Sequence, residues 1–183
     1  MPLASNIEQD SHKALARCAK SLEYHCKFFH PERFSRPFSP KHQEFFDLID
    51  SDEQLVQVIA HRGFGKTSLC NLGLPSQKIM FHDPEKFGFI VPVSASATSA
   101  ILQTENLKRE MKTNSLCQEV VGEIKGDSDA KDMWTTRNNV MILPRGSGQQ
   151  IRGILYGHTR PELIIVDDLE DPDNLQKPVD WRR

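Results

Sequence analysis

The stretch Leu55–Thr67 constrains this chain more than any other. Leu-Val-Gln-Val-Ile-Ala at 55–60 is a short apolar run rich in β-branched residues, the pattern of a buried strand. His61–Thr67 follows with two glycines. Helical character resumes at Lys66–Leu72 and is expected to stop near Gly73 and Pro75. Strand, glycine loop and helix in that order frame a phosphate-binding loop, whose pattern is G-x-x-x-x-G-K-[ST]. Ala60-His61-Arg62-Gly63-Phe64-Gly65-Lys66-Thr67 meets it everywhere except the first position, where Ala replaces Gly. The residue types suit the chemistry. Backbone N–H groups of such a loop and of the helix start point at phosphate oxygens. Gly63 and Gly65 give the backbone conformations closed to larger residues. Lys66 is placed to reach the β- and γ-phosphates, and the Thr67 hydroxyl to bind magnesium. Arg62, Phe64 and Ser68 complete the candidate nucleotide-binding set in the loop.

A phosphate loop also needs a carboxylate at the end of a neighbouring strand to hold magnesium, directly or through water. Leu163-Ile164-Ile165-Val166-Asp167-Asp168 supplies one: an apolar run ending in two acids, with Glu170, Asp171 and Asp173 beyond. Asp167 is the candidate magnesium carboxylate. Hydrolysis needs an acid to orient or deprotonate the attacking water. Asp168, directly after the magnesium ligand, and Glu170, with its longer reach, both qualify, and the residues leave that choice open.

The rest of the chain reads as alternating helices and strands. Residues 4–29 form a helix whose apolar face carries Leu15, Cys18, Leu22, Cys26 and Phe29 at steps of three and four. Pro31, Pro37 and Pro40 break it. A shorter helix fits Lys41–Asp50, with Phe45, Phe46 and Ile49 turned inward. Phe87–Val93 is a buried-strand pattern, and a helix follows through about Ser99–Lys112. Asn139–Leu143 reads as a strand. Pro144–Gln150 is a turn, with Ile151–Leu155 returning as its hairpin partner. Strands interspersed with helices predict an α/β fold with a largely parallel sheet flanked by helices. The expected organisation is an N-terminal helix and Pro-rich linker over 1–39, then one domain over 40–183.

Composition excludes several alternatives. The 183 residues are 38% hydrophobic and 26% charged, a globular balance rather than a disordered one. The formal net charge of −2 lacks the whole-chain basic signature of nucleic-acid binders. No apolar run approaches the ~20 residues that span a bilayer, and Met1–Asp10 carries neither a basic nor an apolar signal region, so the expected location is cytoplasmic. Cys18, Cys26, Cys70 and Cys117 make no C-x-x-C pair. Cys26 and His30 stand one helical turn apart, but no full ligand set accompanies them.

In the order of its motifs the chain resembles the ATPase domain of the large terminase subunit of tailed bacteriophages, the motor that packages DNA into empty capsids. Pro40-Lys41-His42-Gln43-Glu44-Phe45-Phe46 resembles the family's adenine-contacting glutamine segment, and Ala60–Thr67 its variant loop with an internal arginine. Phe89–Ser94 is similar to the next core strand, and Gly148-Gln149-Gln150-Ile151-Arg152-Gly153 to an Arg-Gly element before the acidic strand. Arg160–Asp171 is the most family-like stretch. The resemblance runs from about Phe29 to Asp173. It implies a P-loop NTPase of the ASCE type, with ATP and Mg²⁺ as ligands and Gln43 at the adenine. Arg152 would be supplied to a neighbouring subunit, with Arg145 and Arg62 as rivals for that role. The implied partners are double-stranded DNA, a portal protein, a small terminase subunit and copies of the chain in a ring, a pentamer in the full motor. The implied setting is the bacterial host cytoplasm.

The chain ends twelve positions after Asp171, whereas a terminase ATPase continues into further strands, a coupling segment and a nuclease domain. The expectation is therefore a fragment, a split gene or a truncated product that associates with the missing piece. Two other readings stay open: a catalytically silent nucleotide-binding or assembly module, and a helicase-like ATPase or nucleotide kinase.

Overall fold

The computed structural model describes residues 3–169. A six-stranded mixed sheet carries helices on one face. Its centre is β1 (Gly88–Ser94), every residue of which is buried. β4 (Val140–Ile142) pairs with the first half of β1 and β5 (Arg145–Gly146) with its end, both parallel. The two are one chain path interrupted at Leu143-Pro144, where proline has no N–H to continue the ladder. β6 (Leu163–Val166) pairs parallel along the other side of β1. Beyond β4, β3 (Trp134–Thr136) and β2 (Lys125–Asp129) extend the sheet antiparallel. The expected α/β class holds, and the sheet is mixed rather than almost wholly parallel.

Alternation of side chains along the strands divides the core into two faces. Ile90, Val140, Ile142 and Ile165 lie in the main cluster. With them pack Cys18 of α1 (Leu3–Lys20), Phe29 of α2 (Leu22–Phe29), Leu107 and Met111 of α6 (Ala97–Thr113) and Cys117 of α7 (Ser115–Val121). Phe89, Val91, Val93, Met141 and Leu143 form the opposite face, which Ile151, Ile154 and Tyr156 cover. Residues 151–155 are therefore a covering loop and not the hairpin partner expected for Asn139–Leu143. That strand finds a parallel neighbour in β1 instead, and Ile151 and Ile154 contribute burial without a ladder.

Three further expectations are corrected. The helix expected over 4–29 is broken at Ser21, whose extended backbone caps α2 and whose hydroxyl accepts from the Tyr24 N–H. The apolar face survives the break, with Cys18, Leu22, Cys26 and Phe29 fully buried. The helix after the glycine loop does not stop at Gly73. It runs from α4 (Lys66–Ser68) through one π turn (Leu69–Gly73) into α5 (Leu74–Met80). Proline inside a helix clashes with the carbonyl four residues earlier, and the wider π turn just before Pro75 relieves that clash. Gly73 is needed there for packing: a Cβ would stand 2.5 Å from Cys26 Sγ. Finally, Leu55–Ala60 enters no sheet. Val56, Val58 and Ala60 are half-buried while Leu55, Gln57 and Ile59 are exposed, so the strand period is present without a strand partner.

Candidate functional site

The glycine loop is held from both sides. Gly63 and Gly65 have φ of +85° and +87°, where a side chain would be strained. Gly65 is the residue from which the helix springs. Between them Phe64 turns inward, only 7% exposed, and stacks on His42 at a centroid distance of 4.2 Å and an interplanar angle of 6°. His42 lies on α3 (Pro40–Ile49), and its Nδ1 accepts from the Ser39 N–H. The ring proton is thereby left on Nε2, which donates to the Phe64 carbonyl at 2.9 Å. One histidine thus fixes both the side chain and the backbone of the loop. Sequence reasoning did not single out His42; Gln43, the expected adenine contact, is exposed and bonds Asp47 on its own helix.

Lys66 folds back over the loop and donates through Nζ to the Ala60 carbonyl. The ammonium is thus held across the loop mouth. Thr67 is exposed at the start of the helix, Ser68 is half-buried behind it, and Arg62 is exposed at the loop tip. The candidate phosphate ligands therefore cluster about one helix start.

The acidic strand reaches this helix. The Asp167 N–H donates to the Val93 carbonyl, extending the β1–β6 ladder by one bond. Its carboxylate is half-buried and accepts through Oδ2 from Asn71 Nδ2 at 2.8 Å. Asn71 sits in the π turn of the helix that the loop begins. Cys70, its neighbour, is pushed up to about 11 by burial first and then by the Asp167 charge, with Lys66 opposing. The thiol therefore senses both the carboxylate and the ammonium. The structure thus ties Asp167, about a hundred positions along the chain, to the helix that begins at Lys66 and Thr67, through Asn71.

The remaining candidates are more dispersed. Asp168 is exposed with a φ of +48°, and its carbonyl accepts from the Ala95 N–H just past the end of β1. Glu170, Asp171 and Asp173 lie outside the described residues. Arg152 is exposed on the covering loop, where its carbonyl accepts from Gln150 Nε2. Arg145 is half-buried in β5, bonding the Pro144 carbonyl. A polar depression of about 270 Å³ lies elsewhere, on the β2–β3 side near Lys125, Thr135 and Arg137, and none of the sequence candidates lines it.

Oxygen donors are the kind magnesium takes, and a P-loop ion draws on one hydroxyl, one carboxylate, waters and the phosphates themselves. The Thr67 hydroxyl and the Asp167 carboxylate are the residues that would fill the first two places. Among the described residues no group of three His, Cys, Asp or Glu side chains forms an all-protein metal cage, and this kind of site requires none. No helix among them is long and apolar enough to cross a membrane. No protein-family model, curated protein or solved structure matches the chain.

Proposed function

We propose that this chain is the ATP-binding portion of a P-loop ATPase of the ASCE type, taking Mg·ATP at Ala60–Thr67. The observation that carries the reading is the Asn71–Asp167 bond. It joins the helix begun by Gly65-Lys66-Thr67 to the acidic end of a strand beside β1. A glycine turn with a surface lysine needs no such partner. In this reading the loop N–H groups and Lys66 bind the β- and γ-phosphates, and His42 and Phe64 keep the loop in shape. Thr67 and Asp167 hold magnesium, which supplies neutralisation of charge on the phosphates. Asp168 or Glu170 orients the attacking water.

The order of the motifs supports a motor ATPase of the large terminase kind, driving double-stranded DNA into a procapsid in the host cytoplasm. Arg152 is exposed, as an arginine offered to a neighbouring subunit must be; such residues are worth roughly 10³–10⁵ in rate. One observation favours a second reading, a module that binds nucleotide without turnover. The segment leading into the loop is unpaired, with Leu55 90% and Ile59 89% exposed, so the loop's upstream flank is not anchored in the sheet.

Nucleotide binding and phosphate release measured side by side test both. The ATPase reading expects release that falls at least ~100-fold in Lys66→Ala and Asp167→Asn. Binding without release in the wild type supports the module. Absence of nucleotide binding by the wild type refutes both.

A further inference from the structure

Asn71 belongs to no phosphate-loop pattern, yet its side chain bonds the Asp167 carboxylate. It is only 9% exposed, and its Nδ2 donates to Asp167 Oδ2 at 2.8 Å. Its own Oδ1 is buried without a hydrogen-bond partner. A buried amide oxygen left unpaired costs on the order of 1–3 kcal/mol, so a merely structural position favours an apolar residue here. The π turn also contributes. It lies directly between α4, which carries Lys66 and Thr67, and the Pro75 turn, and such turns are frequent at functional sites.

Resting on the nucleotide reading above, the geometry points to Asn71 as a positioning residue for the magnesium carboxylate. By engaging Oδ2, Asn71 fixes the rotamer of Asp167 and leaves its other oxygen, Oδ1, to face the ion or an ion-bound water. The unpaired Asn71 Oδ1 is a second acceptor beside it, suited to a water of the same hydration shell. Asn71 thereby links the metal carboxylate rigidly to the helix that presents Thr67. Outer-shell partners of this kind typically change metal affinity by about 10–100-fold when removed.

The test is a Mg²⁺ titration of a fluorescent ATP analogue bound to the full chain, with thermal melting as a control for folding. Asn71→Ala and Asn71→Leu are expected to raise the Mg²⁺ midpoint by ~10–100-fold, with magnesium-free nucleotide binding unchanged. Leucine has the same number and branching of side-chain heavy atoms as asparagine and no donor, so beside the alanine variant it separates packing from hydrogen bonding. If Asn71→Leu titrates like the wild type while Asp167→Asn loses its magnesium response, the Asn71 assignment fails and the nucleotide site stands. If the wild type binds no nucleotide, both fail. A measurement on the wild type needs no stable variant: the Asn71 side-chain amide resonance should move when Mg²⁺ is added to nucleotide-loaded protein. An unmoved resonance overturns the assignment.

Discussion

Two apolar, β-branched runs of this chain meet different fates. Gly88–Ser94 becomes the central strand, buried at every residue and paired on both sides. Leu55–Ala60 has the same kind of composition, yet it stays outside the sheet with every second residue in solvent. The difference teaches that a strand pattern specifies a period and not a partner. Buried backbone groups must be hydrogen-bonded, and β1 satisfies its own with β4, β5 and β6. Residues 55–60 lean Val58 and Ala60 on the aromatic cluster of Phe45, Phe46 and Phe64, which Leu163 of β6 also touches. Their other side stays open. So does the face of β6 opposite Leu163, where Ile164 is 50% and Val166 55% exposed.

The comparison is open to direct attack. The largest effect belongs to the buried side. Ile142 of β4 is fully buried in the main cluster, and Ile142→Ala should cost about 2–5 kcal/mol in urea unfolding. A loss under ~1 kcal/mol would show that the sheet centre is not the stability core.

The same buried side should titrate. His25 and His30 are buried and share Ser76 Oγ, at 2.8 and 3.0 Å. Burial, and then the proximity of His30, push His25 down to about 3. Burial lowers His30 as well, against the hydrogen bond and charge of Glu110. Both folded values lie below the unfolded value of about 6.5. The unfolded chain therefore binds more protons as pH falls through this window, and stability rises with pH across it. The contribution is complete above about pH 6.5 and is lost toward the folded value. For His25 the slope approaches ~1.4 kcal/mol per pH unit, and His30 adds to it in the same direction. Urea midpoints between pH 7 and pH 4.5 measure it, and the slope should shrink in His25→Phe. An unchanged slope in that variant would remove His25 from the account.

The smallest effect is expected at the open flank. Ile59→Ser should alter stability by no more than about 0.5 kcal/mol. A loss comparable to that of Ile142→Ala would mean that 55–60 is a core strand after all.

Much of the local geometry of the candidate site was legible in the sequence because its parts are close together in the chain. Gly63 and Gly65 adopt the positive φ that their residue type permits, and Lys66 and Thr67 follow at the helix start by covalent connection. The strand ending in Asp167 was equally readable from its apolar run. His42 and Asn71 were not, because each acts through one long-range bond, to Phe64 and to Asp167, that leaves no periodic trace. The helices of the first fifty residues followed from apolar spacing, apart from the break that Ser21 makes by capping. β2 and β3 escaped notice because Lys125–Asp129 is a polar edge with little hydrophobic alternation, held by pairing alone.

The sequence by itself determined what is set within a turn or two of chain: where the loop bends, which helix faces are apolar, and which side chains follow the glycines at the helix start. The tertiary structure alone decided which apolar run received neighbours. It also decided that Pro75 widens a helix rather than ending it, and that Asp167 is tied to the helix after the loop. The physical reason is the same in each case. Backbone conformation and side-chain period are properties of adjacent residues, whereas hydrogen-bond satisfaction and burial depend on which distant surface arrives.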